Sequence, residues 1–381
     1  MQLTEAIGKS LLRDADIAVP AGEIATTAEQ AREIAQRLGA RVAIKAQIPA
    51  GKRGKQGGIQ FADDPAAAFA HAAAMLGTTL AGYAVERVLV ERAAQISREL
   101  YAAILNDAVS GGPLVLFSTA GGMDIEEVNA QTPEQIVRVP VDIRRGFSLA
   151  DARAMLARTP LDESLRERVA ALFDQLYRAY RSLDAELLEI NPLIVDTRGE
   201  LWALDAKISI DDSARVRNPE RMRELSAALG VQGTPLERRA REHGLLFIEL
   251  DGEVGVLANG AGLTLTTLDV VAHLGGRAAN FLEIGGDAYT KATPALELVL
   301  SNPRVRSVVV NFCGAFAQTD VMAEGVIAAI EALKPTIPMF FSIHGTGEER
   351  AIALVRERLG IEPYDDMDDA VAAAIAAGRA A

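Results

Sequence analysis

Four polar side chains between Leu187 and Asp212 are spaced so that they could work together: Glu189, Asn191, Asp205 and Lys207. Two apolar runs, Leu187–Val195 and Leu201–Ile210, flank Asp196-Thr197-Arg198-Gly199, a polar turn ending in glycine, and read as a β-hairpin. Side chains alternate faces along a strand, so Glu189 and Asn191 share one face, and Asp205 and Lys207 share one face of the return strand. Carboxylate and carboxamide oxygens suit a hard cation such as Mg²⁺, which takes one or two protein carboxylates and completes its shell with water and substrate phosphates. An antiparallel pair with one wet face alternates in the same way, so periodicity alone leaves both readings open.

A second group lies in VAIKAQIPAGKRGKQGGIQF. Val42–Ala46 reads as a strand carrying Lys45, and Gly51–Gly58 as a loop with four glycines and the cations Lys52, Arg53 and Lys55. Glycines let backbone N–H groups approach an anion, and the cations add charge. The spacing is not that of a Walker A loop, and a flexible basic hairpin tip has the same composition. Glu91 and Glu99 sit at the ends of two further strands, facing a cleft in the proposed fold.

Composition narrows the function classes. Among 381 residues, 39 Lys and Arg stand against 52 Asp and Glu, a net charge of −13, which argues against a nucleic-acid binder. The single cysteine, Cys313, excludes an intramolecular disulfide and a cysteine-cluster metal site, and fits a reducing cytoplasm. The start, MQLTEAIGKSLLRDADI, reads as an amphipathic helix and not as a signal peptide, and no run approaches the ~20 apolar residues of a membrane span.

The elements that must position these residues fall into two halves. In the first, Leu3, Ile7, Leu11 and Leu12 mark a helix, Thr27 caps a second one ended by Gly39, and Asp64–Leu76 is a third. Strands are expected at Val88–Glu91, Glu99–Leu105 and Leu114–Ser118. An acidic loop then runs from Gly121 through Glu126 and Glu127, and helices fill Leu149–Leu183 with a break near Pro160. Strand pairs mixed with helices imply an α+β arrangement. The charged, Pro- and Gly-punctuated stretch Asp211–His243 holds the boundary, giving domains 1–235 and 236–381. Beyond it strand, glycine loop and helix repeat four times, at Asn259-Gly260-Ala261-Gly262, Glu283–Asp287, Gly314–Gln318 and His344–Glu348. That rhythm predicts an α/β, doubly wound parallel sheet with its ligand site at the carboxyl edge of the strands, where helix N-termini favour an anion.

Taken together, KAQIPAGKRGKQGG, VERAAQISRELY, GGMDIEEV, LLEINPLIV, LDAKISIDD, LANGAGLTLTTLDVV, RAANFLEIGGDA and VVVNFCGAFAQTD resemble the β subunits of succinate–CoA ligase and its relative malate–CoA ligase, in the same order and over essentially the whole chain. The resemblance implies an ATP-grasp N-terminal fold, with a lid subdomain at about 22–94, followed by a flavodoxin-like C-terminal fold. It implies a reaction of acid, CoA and ATP or GTP that yields acyl-CoA, NDP and phosphate through an acyl phosphate and a phosphohistidine. By the same resemblance Lys45 holds nucleotide phosphates, Lys52, Arg53 and Gly54 form the loop over them, and Glu91 and Glu99 contact the nucleotide. Asn191 and Asp205 bind Mg²⁺, and Asn259 contacts the acid. The resemblance also implies that the phosphohistidine belongs to a CoA-binding α subunit; none of His71, His243, His273 and His344 lies in the family's phosphohistidine string.

Two departures affect the acid. In Gly314-Ala315-Phe316-Ala317-Gln318, Gln318 stands where the family has arginine. The fourth strand ends Ser342-Ile343-His344 where the family reads Arg-Leu. Neutral side chains cannot reproduce arginine's bidentate fork on a second carboxylate, so the expected substrate is an acid other than plain succinate. Three alternatives stand beside it: an authentic succinate or malate ligase subunit, an ATP-grasp ligase joining an acid to an amine, and a degenerate subunit that only binds nucleotide or a partner.

Overall fold

The computed structural model describes residues 1–51, 53–230, 233–284 and 288–380, and the chain divides into two compact units, Met1–Gly230 and Val231–Ala381.

Among the described residues the first unit holds two main antiparallel sheets and a two-stranded one, Thr79–Leu80 with Tyr83–Ala84. Of the main pair, the smaller runs in the order Gly22–Ala25, Val88–Arg92, Val42–Ala46, Ile59–Ala62, and helices Ala28–Leu38 and Pro65–Met75 contribute to its core. The first of these helices is fixed at both ends by its sequence. The Thr27 hydroxyl accepts from Gln30 N at 3.2 Å, and Gly39 ends it with φ of 59°. All five residues of Val42–Ala46 are buried, which fits the central place of that strand.

The larger sheet runs Leu201–Ala203, Ala185–Asp196, Ile96–Asp107, Gly112–Ser118, Ile136–Pro140, with Lys207–Ile210 also paired to Ala185–Asp196. Helix Glu163–Ser182 covers it. Asp162 caps that helix by accepting from Leu165 N at 2.9 Å, and Leu165, Val169, Leu172, Phe173, Leu176 and Tyr180 recur at helical spacing on its buried stripe. Phe173 meets Phe117 of the sheet edge-on at 6.0 Å, and burying each ring contributes about 1.5–3 kcal/mol.

Three expectations for this unit change. The return strand Leu201–Ile210 is interrupted at Leu204–Ala206. Pro192 lies across from the break with no N–H to give, and its carbonyl accepts from Leu204 N at 3.1 Å. The acidic loop is a helix, Ile125–Gln131, because Asp124 caps it by accepting from Glu126 N, so Glu126 and Glu127 lie in a first turn that favours acids. The buried face of the first helix, Glu5–Asp14, is Glu5, Gly8, Lys9 and Leu12, whereas Ile7 and Leu11 are only half-buried.

In the second unit one sheet runs Leu246–Glu249, Asn280–Glu283, Val254–Ala258, Ser307–Gly314, Met339–Gly345. The last four strands pair in parallel, and Tyr364 adds a parallel bridge to Ser342. Helices Ala288–Leu300, Thr319–Leu333 and Glu348–Leu359 share one core, and Ala261–His273 and Met367–Ala380 share the other, so the sheet is wound on both faces. The sheet is not wholly parallel: Leu246–Glu249 is an antiparallel edge strand. Its sequence, LFIE, buries Phe247 and exposes Leu246 and Ile248, the alternation of an edge, and it is too short to stand out from the charged stretch before it.

Candidate functional site

Helix Glu5–Asp14, strand Val42–Ala46, the loop after it, strand Val88–Arg92 and the break at Leu204–Ala206 meet in one buried ion network. The Lys45 ammonium donates to Glu5 Oε1 at 2.8 Å and to the Leu204 carbonyl at 2.6 Å, and lies 2.7 Å from Glu91 Oε1. Lys9 Nζ bridges the same two carboxylates, at 2.7 Å from Glu5 Oε1 and 2.6 Å from Glu91 Oε2. Arg53 Nη2 lies 2.8 Å from Glu5 Oε2 and 2.9 Å from Asp205 Oδ1, while Nη1 donates to the Ala46 carbonyl at 3.0 Å.

Two glycines make this convergence possible. A Cβ on Gly8 would sit 3.1 Å from the Ala206 Cβ, so the bare glycine lets the first helix approach the segment carrying Asp205. Gly22 pairs with Glu91, and a Cβ there would lie 2.5 Å from the Glu91 Cβ.

The charges shift one another. Burial alone would raise the Glu5 carboxyl, but Lys45, Lys9 and Arg53 outweigh it and hold it well below the usual carboxylate range. Burial would lower the Lys45 ammonium, yet Glu5, Glu91 and Asp205 push it above its ordinary value. Asp205 goes the other way: burial and the nearby Glu5 raise its carboxyl despite Arg53, Lys45 and Lys9. Its side chain keeps 35% of its surface exposed, so one edge stays open to a ligand.

Asn191 lies opposite Asp205, in the register set by the flanking pairs Leu193–Ala203 and Glu189–Lys207. Its carboxamide accepts from Gly122 N and donates to the Met123 carbonyl, both at 2.9 Å. Glu99 reaches the same turn, since a Cβ on Gly122 would lie 2.3 Å from Glu99 Oε2. Gly122 also has φ of 70°, a conformation glycine adopts without strain. Glu189 is raised by burial and by Asp205, Glu126 and Asp124, and its cation Lys207 is 3.9 Å away. Among the described residues no three His, Cys, Asp and Glu side chains group to hold a metal. The oxygens of Asn191 and Asp205 fit a hard cation that takes its other ligands from phosphate and water.

The sequence-expected residues therefore divide. Lys45, Arg53, Glu91 and Asp205 are brought into one network, and Asn191 and Glu99 into a neighbouring turn. Lys52 lies outside the described residues, and Gly54 belongs to a short 3₁₀ turn, Arg53–Gln56. That loop is no loose basic tip at Arg53, whose side chain is only 6% exposed. Glu91 faces this buried network and not an open cleft, because Lys9 and Lys45 claim both of its oxygens. Glu5 and Lys9 escaped the sequence reading, although Glu5, Gly8, Lys9 and Leu12 follow the i, i+3, i+4, i+7 spacing of a buried stripe.

In the second unit the carboxyl edge carries a separate constellation. The Asn259 side chain exchanges two hydrogen bonds of 2.9 Å with the backbone of Cys313, extending the ladder one step past Ala258–Asn311 with a side-chain amide. Gly314 pairs with Gly345, where a Cβ would fall 2.0 Å from the Gly314 carbonyl oxygen and φ is 95°. Ala315, Phe316 and Gln318 are exposed, Ala317 and His344 are half-buried, and the Cys313 thiol is exposed. Phe316 is completely exposed, so it does not close a pocket wall with Gln318 and His344. Of the second glycine loop, residues 285–287 lie outside the described residues. Helix Ala261–His273 begins without a side-chain cap.

A family model described as an ATP-grasp domain matches residues 2–195, and one described as CoA-ligase matches residues 257–376. The class is an ATP-grasp unit joined to a CoA-ligase unit. The β subunit of the ADP-forming succinate–CoA ligase of Gemmatimonas aurantiaca is 42% identical over 98% of both chains. The β subunit of the GDP-forming enzyme of Thermus thermophilus is 41% identical over 93% of both. The chain thus belongs to the succinate–CoA ligase β-subunit family, subunits of NDP-forming acid–CoA ligases. The ATP citrate lyase of Methanothrix soehngenii, solved with citrate and coenzyme A, shares the fold at a TM-score of 0.76, with 21% identity over 99% of this chain and 100% of that one. No helix of the described residues is long and apolar enough to cross a membrane.

Proposed function

We propose that this chain is the nucleotide-binding β subunit of an NDP-forming carboxylic acid–CoA ligase whose acid is not plain succinate. The observation that carries the nucleotide half is the convergence of Lys45, Arg53, Glu91 and Asp205 from segments far apart in sequence. Lys45 and Arg53 would bind the polyphosphate, with Gly54 in the loop beside them and Lys52 adding charge. Lys45 already pairs with Glu5, Glu91 and the Leu204 carbonyl, so phosphate would compete with these groups for the ammonium. Glu91 and Glu99 would border the nucleotide. Mg²⁺, held by Asn191 and Asp205, would neutralise phosphate charge and orient it. Relatives named as ADP-forming and as GDP-forming are about equally similar, so ATP and GTP both fit.

The second unit would hold the acid between Asn259 and the loop Gly314–Gln318, with the reacting carboxylate near the start of helix Ala261–His273, where a helix dipole favours an anion. The histidine that relays phosphate would come from a CoA-binding α subunit. Near the loop Gly314–Gln318, Arg350 is already engaged with Asp320 at 3.6 Å and Glu324 at 3.2 Å. A second carboxylate desolvated beside Gln318 and His344 would lack a bidentate partner, which costs about 3–5 kcal/mol, on the order of a thousandfold in affinity. The names of the relatives favour a second reading, succinate itself.

Two experiments test these readings. Asp205→Ala should abolish Mg-nucleotide binding in calorimetry while the far-ultraviolet spectrum is kept; unchanged affinity sinks the nucleotide assignment. With the α partner added, kcat/KM for succinate and malate should fall below that for longer or aryl monocarboxylic acids. A wide preference for succinate at neutral pH would establish the second reading.

A further inference from the structure

We infer that Thr346 is a positioning residue for acid recognition, holding the loop Gly314–Gln318 in one conformation; the inference rests on the functional reading above. Thr346 lies in the loop after strand Met339–Gly345 and ties into the neighbouring loop at three atoms. Its N–H donates to the Gly314 carbonyl at 3.0 Å, and its hydroxyl donates to the Ala315 carbonyl at 2.9 Å. Its carbonyl accepts from Thr319 N at 2.9 Å and from Thr319 Oγ1 at 3.0 Å, just where helix Thr319–Leu333 begins. Gly314 and Gly345 stand too close for any side chain between them, so the two loops meet backbone to backbone.

The consequence lies in what is left unsupported. Ala315, Phe316 and Gln318 are exposed, and Phe316 is completely so. Packing by these side chains cannot set the loop's shape. Ala317 anchors the far end of the loop against the core, and the hydrogen bonds from Thr346 and Thr319 hold its backbone, the Thr346 hydroxyl being the side-chain bond that reaches past Gly314 to Ala315. A loop of this kind presents a preformed surface to the acid instead of folding around it, and preorganisation lowers the cost of binding. Losing the hydroxyl frees Ala315 and the exposed Phe316 without touching the ion network of the first unit.

The test pairs Thr346→Val, which keeps the shape and removes the donor, with Thr346→Ser, which restores it. In the complex reconstituted with its α partner, Thr346→Val should raise KM for the best acid about tenfold, as expected for one lost hydrogen bond, with Mg-nucleotide affinity unchanged. Amide exchange across Gly314–Thr319 should speed up in the valine variant, and the serine variant should return both readouts to wild type. Faster exchange with unchanged acid KM would overturn the inference and leave the functional reading standing. Equal losses in nucleotide and acid binding, or no rescue by serine, would also overturn it, because they mark a general structural defect. A wild-type complex that makes no acyl-CoA from any acid would overturn the functional reading and this inference with it.

Discussion

Three cations, Lys9, Lys45 and Arg53, meet the single carboxylate of Glu5, and all four side chains are buried. Removing one partner from such a cluster leaves the others charged and dry, which costs about 3–5 kcal/mol. Glu5→Gln should therefore lower stability by that amount at pH 7. The Glu5 carboxyl is depressed in the folded chain, so its stabilising effect is complete above the ordinary carboxylate range of about 4 to 5 and is lost as the pH falls below it. Urea unfolding at pH 7 and pH 3 checks this. The gap between wild type and Glu5→Gln should shrink at the lower pH, and an equal gap at both would contradict the charge argument. Lys45 and Asp205 were legible in the sequence because an ammonium in an apolar strand and an acid within the apolar return run of a hairpin are conspicuous. Glu5 and Lys9 were not, because an i, i+4 ion pair on a terminal helix looks like a solvated face until other elements cover it.

Elements are readable where chemistry marks both ends. Helix Ala28–Leu38 has a threonine before it and a glycine after it, and Val42–Ala46 is an unbroken apolar strand but for its lysine. The interruption at Leu204–Ala206 carried no local mark, since it answers to Pro192 on another strand. Helix Ile125–Gln131 was hidden by acids that read as a loop but suit a first turn. At this scale the smaller sheet gives a prediction. Gly22→Ala would place a Cβ 2.5 Å from that of Glu91, pushing strand Gly22–Ala25 against strand Val88–Arg92 and shifting Glu91 in the network it shares with Lys45. We expect a loss of about 1–3 kcal/mol, typical of overpacking, together with weaker Mg-nucleotide binding. Melting and calorimetry on the same variant should move together; a lower melting temperature with unchanged affinity would separate the sheet from the site.

For the molecule as a whole, the two units would divide the labour under the proposed function, nucleotide in the first and acid in the second. The chain has four histidines, and the one at the carboxyl edge of the second unit's sheet, His344, lies on the fourth strand of the parallel run, not in a phosphohistidine string. The purified chain should therefore bind Mg-nucleotide yet turn over no acid, and activity should appear on adding an α partner. Steady ligation by the chain alone would show that the relay histidine is its own. The two-part architecture was legible because the rhythm changes from strand pairs to strand–loop–helix repeats. The antiparallel edge Leu246–Glu249 was not, since four residues carry too little pattern.

The amide of Asn259 fixes the backbone on which Cys313 sits, and the thiol of that residue faces outward. It is the one sulfhydryl in the sequence. A maleimide dye or a nitroxide would thus attach to the unaltered chain at a single known point, one residue before Gly314. Its emission or mobility would give a direct optical or magnetic readout of an acid arriving.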